Sequence, residues 1–209
     1  MADLPIDLED GLAERLARAF DVEAKIPRAI EALGPVGGRD VLLLDGAEGI
    51  RARQLAELGA RVSFAMSNGP AGIDAPDASA DVVVGLWGAF RGFEAVESAA
   101  VARVLRPGGR LLVVLDYGRD DVSRLRGDMS EYGLLSRRDG PYLRGGFRVR
   151  VVHCFWTFET QEEVTTFLDD AFGALGLDVA AGLKRPRLSY NVAVYHRAFG
   201  ADRVAGVQA

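Results

Sequence analysis

Three short stretches of this chain hold residue types able to do chemistry. Asp45-Gly46-Ala47-Glu48-Gly49 follows the apolar run Val41-Leu42-Leu43-Leu44 and opens a helical segment. An acidic residue among glycines at such a turn lets backbone pass close to a ligand while the carboxylate takes a cationic group. The same residues equally suit an ordinary Asp-Gly turn that starts a helix. Asp116-Tyr117 ends a second apolar run, at the strand terminus where open α/β sheets bind ligands, so either is a candidate base or substrate anchor. His153 lies in Val151-Val152-His153-Cys154-Phe155-Trp156, where alternation puts it on the Phe155 face, opposite Cys154 and Trp156. It reads either as a general base facing a cleft or as a hydrogen-bonded, half-buried histidine. Trp87, between Gly85 and Gly88, offers a ring for stacking, and Phe90 a second ring or a core residue.

Arginines outnumber acids eight to five between Arg119 and Arg150, a local excess that suits an acidic or phosphorylated ligand, or a solvated face of Arg–Asp pairs. With Cys154 the one cysteine, and His153 and His196 the two histidines, there is no disulfide, no cysteine-based metal cluster and no nucleophile–histidine–acid order to defend. The expected metal set is therefore none, and His196 is structural.

These residues need elements to hold them. Hydrophobic residues make up 49% of the 209 and charged residues 26%, as in an ordinary globular domain of this length. The net charge of −5 gives no general attraction to nucleic acid or to an anionic membrane, and no apolar stretch approaches a membrane span. A cytoplasmic location is expected from the lone cysteine and the absence of a leader-like start. Apolar spacing predicts one or two helices over 12–33, a buried strand at 41–44, a helix from Ile50 to Gly59 and a strand at 61–66. After a Pro/Gly/Asp/Ser-rich loop come a strand at 81–86, a helix at 94–105, a Pro107-Gly108-Gly109 turn and a strand at 110–115. A lid helix is expected at 122–132 and a strand at 148–158. A helix over 160–175 is announced by the Thr160/Glu163 capping box. Strands at 177–183 and 190–198 flank Pro186 as a hairpin. One domain covers 1–200, with 117–147 inserted as a lid and 200–209 as a tail.

Val41 to Gly49 with Leu55-Ala56-Glu57-Leu58-Gly59-Ala60-Arg61-Val62 resembles the class I S-adenosylmethionine (SAM)-dependent methyltransferases. So do Asp81-Val82-Val83-Val84 and Leu105-Arg106-Pro107-Gly108-Gly109 at their spacing, and the C-terminal helix and strands. The resemblance implies an α/β fold: a doubly wound, Rossmann-like sheet, mostly parallel, with an antiparallel last strand. It also implies SAM as cofactor, held around Leu44, Asp45, Gly46, Gly49, Met66, Ser67 and Trp87, with Asp116, Tyr117 and His153 as catalytic candidates.

Departures from the pattern are local. Family members show acidic-x-Gly-x-Gly-x-Gly after the first strand. Anchored on Gly49 as last glycine, those positions are Leu43, Asp45, Ala47 and Gly49; shifted to make Asp45 the acid, they are Asp45, Ala47, Gly49 and Arg51. The acid that accepts the ribose hydroxyls falls on Met66, which accepts no such bond, leaving Ser67 or Asn68 as weak substitutes. Residues 67–80 are too few for the family's next helix and third strand, so that edge strand is expected to be missing, leaving Asp74 without a platform. Two functions compete: methyl transfer to a small, acidic or neutral molecule, and a binding or scaffolding module, for instance a homodimer, that has lost SAM. Another nucleotide or acidic metabolite in a remodelled cleft is a third.

Overall fold

The computed structural model describes residues 4–46, 49–67, 72–88, 90–127 and 131–200. Ala47, Glu48, Asn68, part of the expected lid helix and the tail from 201 lie outside the described residues. The elements in chain order are α1 (Asp10–Ala19), α2 (Lys25–Leu33), β1 (Asp40–Leu44), α3 (Ile50–Glu57), β2 (Arg61–Ala65), β3 (Ala80–Leu86) and α4 (Ala95–Val104). They continue with β4 (Leu105–Asp116), α5 (Asp121–Arg126), α6 (Glu131–Leu135), α7 (Pro141–Arg144), β5 (Arg148–Thr157), α8 (Gln161–Phe172), α9 (Ala174–Gly182) and β6 (Arg187–Ala198).

Six strands form one sheet in the order β2-β1-β3-β4-β6-β5. β1 pairs in parallel with β2 and β3, and β3 with β4, while β6 runs antiparallel to both β4 and β5. The chain winds outward from β1 to β2, then returns to β3 on the other side, which makes this a doubly wound α/β sheet with a reversed last strand. Among the described residues β2 is an edge strand, the end of the order next to the short 67–80 segment. Alternate residues feed a core on each face. Val41, Leu43, Val82, Val84, Leu112 and Val114 pack under α1–α3, α5, α8 and α9; Leu42, Leu44, Val83, Leu111 and Val113 pack toward α4 and α7. Burial on both faces is why these strands read as unbroken apolar runs.

The Leu105-Arg106-Pro107-Gly108-Gly109 segment is not a free turn. It opens β4 with a register shift, Ala80 opposing Leu105 and Val82 opposing Arg110. A Cβ on Gly109 would lie 2.9 Å from the Arg106 carbonyl oxygen and 3.0 Å from that of Asp81, so only glycine fits. Arg106 reaches Asp40 (2.7 Å) and Asp81 (3.0 Å), and Arg61 also binds Asp40 (2.6 Å). Arg61 and then Arg106 hold the Asp40 carboxyl below the usual carboxylate range. This cluster ties the amino ends of the strands, away from any ligand cleft.

Two expectations are corrected. Residues 177–182 belong to α9, so the strand expected at 177–183 and its hairpin with 190–198 do not form, and β6 pairs antiparallel with β4 and β5 instead. The run is short and apolar, and periodicity does not separate strand from buried helix at that length. The 122–132 helix is two pieces: α5 stops at Gly127, whose φ of 76° is left-handed, and α6 follows. At the start of α8, Thr160 accepts from Glu163 N–H (3.0 Å). Thr160→Ala is expected to cost about 1 kcal/mol in urea unfolding; a change within a few tenths would show that the cap contributes nothing.

Candidate functional site

The direction of winding reverses between β1 and β3, so a ligand crevice is expected outside their carboxyl ends. Asp45, just past β1, occupies it. Its φ is 54°, a left-handed conformation that glycine favours and that aspartate tolerates better than most residues. A glycine position commonly supplies this conformation, and Leu43, two residues earlier, is 1% exposed. The Asp45 carboxylate accepts from Ser67 N–H (2.6 Å) and from the Ser67 hydroxyl, lacing the ends of β1 and β2 together. Its Oδ2 also lies where a Cβ on Gly88, past the end of β3, would be 3.5 Å away. The side chain thus spans the mouth of the crevice.

Beside it, Met66 is 59% exposed and Phe64 37% exposed on the outer strand. Leu44 is buried in the core, and a Cβ on Gly46 would be 3.7 Å from the Phe64 ring. Gly49 caps α3 through extended backbone with no side-chain bond. Asp74 is exposed, its N–H on the Met66 carbonyl (3.2 Å). A SAM molecule needs acceptors for an ammonium group and two ribose hydroxyls. Leu43 and Met66 supply none, and each Asp45 oxygen already accepts one hydrogen bond from Ser67. Among the described residues, Leu43 and Met66 thus lack the acids that the resemblance implies would hold that group.

Open space lies one strand further along. A cavity of about 100 Å³ is lined by Pro5, Trp87, Arg91, Leu115, Asp116, Arg126, Tyr132 and Leu135. A second, of about 360 Å³, shares Pro5, Trp87 and Arg126 and adds Leu4, Ile6, Asp7 and Gly88. Together they form a cleft at the carboxyl ends of β3 and β4, roofed by the N-terminal segment, α5 and α6, in the size range of small-molecule sites. Trp87 adopts φ 45° and packs edge-on against Phe20, with ring centroids 5.6 Å apart.

At the cleft floor Asp116 takes a hydrogen bond from the Tyr190 hydroxyl on one oxygen and from Arg126 on the other. The two charged side chains are 14% and 20% exposed. Burial, the largest single influence, pulls the Arg126 pKa down, but Asp116 together with Tyr132 and Tyr190 outweighs it and holds the guanidinium above its usual range. Burial, then Asp116, pushes the Tyr190 phenol well above its ordinary value. Asp116 is therefore a paired carboxylate, suited to anchoring a polar group more than to taking a proton.

The wall is fixed by a second set of acids. Asp120 caps α5 by accepting from Ser123 N–H (2.7 Å) and takes Asn191 N–H (2.8 Å); burial, the larger influence, raises its pKa. Asp121 accepts from Ser189 N–H (2.9 Å) and Oγ (2.6 Å). These bonds pin α5 to β6.

Of the three catalytic candidates, only Asp116 lines this cleft. Tyr117 donates its N–H to the Asn191 carbonyl (2.9 Å) and packs its ring on the opposite face, with the α4-side core. His153 is exposed on β5, two strands away from β4, with Nδ1 2.7 Å from Asn191 Oδ1. Alternation placed it on the right face of its strand but says nothing of where the strand sits. Arg126, Arg91 and Tyr190 were not singled out from sequence. Asp120 with Ser123 three residues on was the available signal for the start of α5.

No family model matches the sequence, and no curated protein matches it. Several solved structures are similar to it. A candidate methyltransferase from Bacillus halodurans C-125 covers 84% of this chain and 99% of its own at 14% identity, with a TM-score of 0.45. A candidate type II methyltransferase from Anaeromyxobacter dehalogenans covers 84% and 96% at 18% identity and 0.47. Phosphoethanolamine N-methyltransferase 2 of Haemonchus contortus, solved with phosphomonomethylethanolamine and S-adenosylhomocysteine, covers 83% and 52% at 16% identity and 0.40. At these identities the likeness concerns the fold, and fold does not determine reaction. Among the described residues no helix is long and apolar enough to cross a membrane, and no cluster of three or more metal-ligating side chains occurs.

Proposed function

We propose that this chain is a methyltransferase-fold protein that binds a small polar molecule in the Trp87–Asp116–Arg126 cleft without drawing on SAM. The observation that carries this reading is Asp45. Its backbone is left-handed and each of its carboxylate oxygens accepts one hydrogen bond from Ser67, so the crevice that would admit the cofactor is bridged by the protein's own side chain. Leu43 and Met66, at the two positions where acids would hold SAM, point the same way. The cleft itself offers the Trp87 ring for stacking and the Arg126–Asp116 pair for polar groups, a combination suited to a planar ligand bearing charge.

The competing reading is methyl transfer from SAM to a small molecule, favoured by the open cleft at the carboxyl end of the sheet. Calorimetric titration with SAM and with S-adenosylhomocysteine separates the two. The expected result is no heat and no rise in melting temperature at millimolar ligand. Saturable binding of either compound, weakened sharply by Asp45→Ala, would establish the competing reading.

A further inference from the structure

On the far side of the sheet, a groove of about 400 Å³ runs between α2 and the outer edge of β5, lined by Lys25, Arg28, Ala29 and residues 150–153. β5 ends the strand order, so one side of its backbone faces no strand. Which groups face out follows from two bonds. The Phe155 carbonyl accepts from Asp21 N–H (3.0 Å), and the His153 carbonyl from Lys25 Nζ (3.1 Å). In an antiparallel ladder the N–H and C=O of one residue point the same way, and alternate residues share a direction. Val149 and Val151 therefore turn both groups outward, and no described residue hydrogen-bonds to them. Phe20, bridged to Trp156, closes the edge only at its far end.

The groove carries one sign of charge. Arg148 and Arg150 are exposed on the α2 side of β5 and form no ion pair among the described residues. Lys25 and Arg28 face them from α2; Glu23, 3.0 Å from Lys25, lines the neighbouring pocket and not this groove. In a chain of net charge −5 this is a local reversal. A second copy pairing edge to edge would set arginine against arginine, which is how proteins discourage self-association of such strands. An acidic partner meets no such barrier.

We propose that the β5 edge receives an extended, acidic peptide segment of another protein. The segment pairs with the Val149 and Val151 backbone as an added strand and sets its carboxylates against Arg150 and Arg28. Strand addition beside a helix takes affinity from main-chain bonds and selectivity from the side chains that flank them.

The test is fluorescence anisotropy of the intact protein with a fluorescein-labelled Glu-Val-Glu-Val-Glu-Val peptide. Saturable binding is expected, lost with a Lys-for-Glu peptide and with one N-methylated at alternate residues. Arg150→Glu and Arg28→Glu are each expected to weaken it at least about tenfold, with unchanged melting temperature. Arg137→Glu, on the exposed lid beyond α6, leaves it as it was. Absence of binding would overturn the proposal. Equal binding of the N-methylated peptide, displacement by an oligonucleotide of like charge, or concentration-dependent dimerisation blocked by Arg150→Glu would also overturn it.

Discussion

Asp21→Asn is expected to destabilise the fold by about 3–5 kcal/mol, a large part of the stability of a typical domain. Asp21 and Arg51 form a buried ion pair, Nη1 to Oδ2 3.3 Å, with each side chain 1% exposed. The Arg51 guanidinium lies over the Phe20 ring at 4.5 Å and also binds Gln54 at 2.6 Å. Asp21 further accepts the N–H groups of Lys25 (2.9 Å) and Ile26 (3.0 Å), the first turn of α2. Asparagine tolerates the left-handed backbone at Asp21 (φ 53°), but it keeps an acceptor for only one of those two amides and removes the buried carboxylate that faces Arg51. The double variant Asp21→Asn/Arg51→Met removes both charges and is expected to recover a substantial part of the loss. Denaturant midpoints at constant slope measure both. A single-variant loss below 1 kcal/mol, or a double variant no better than the single, would show that the buried pair is not what the region depends on.

Gly176→Ala carries the second large effect. A Cβ there would sit 2.0 Å from the Leu168 carbonyl oxygen and 2.6 Å from its carbon, so α8 and α9 must separate to admit it. Backbone does not yield as a side chain does, and a cost of about 3 kcal/mol or more is expected. For a chain this long that is a fall of roughly 6–12 °C in melting temperature. Gly182, at the end of the same helix, has no atom within 4 Å of its would-be Cβ. Gly182→Ala therefore reports helix propensity alone, with an expected gain of about 0.5 kcal/mol. Equal responses at the two glycines would mean that the α8–α9 contact is looser than drawn.

The sheet was legible because its strands are buried on both faces: Val41–Leu44, Val82–Leu86 and Leu111–Leu115 are apolar runs of strand length, each beside a glycine or a charged turn. The missing edge strand was legible from the number of residues alone. What sequence left open was direction and distance. The left-handed backbone of Asp45 and its bonds to Ser67 are matters of geometry that no residue count supplies. His153 carries the right chemistry on the wrong strand, since neighbours in a sheet are not neighbours in sequence. Tyr190 and Arg126 acquire meaning only together, 64 residues apart in the chain, through Asp116. Leu177 and its neighbours look alike as strand or helix until α8 is there to receive them.

β6 is the last element made and yet lies between β4 and β5. As the chain leaves the ribosome, β4 must wait for its neighbour on one flank, and β5 has no strand to pair with at all. Until residues 187–198 arrive, Asp116 lacks the Tyr190 hydroxyl, and Asp120 and Asp121 lack Asn191 and Ser189. The cleft floor, the α5 wall and the outer groove are thus completed together, once residues 187–198 have arrived. A chain cut before Arg187 keeps β1 to β5 in its sequence but lacks the strand on which the cleft floor and the β5 pairing both depend.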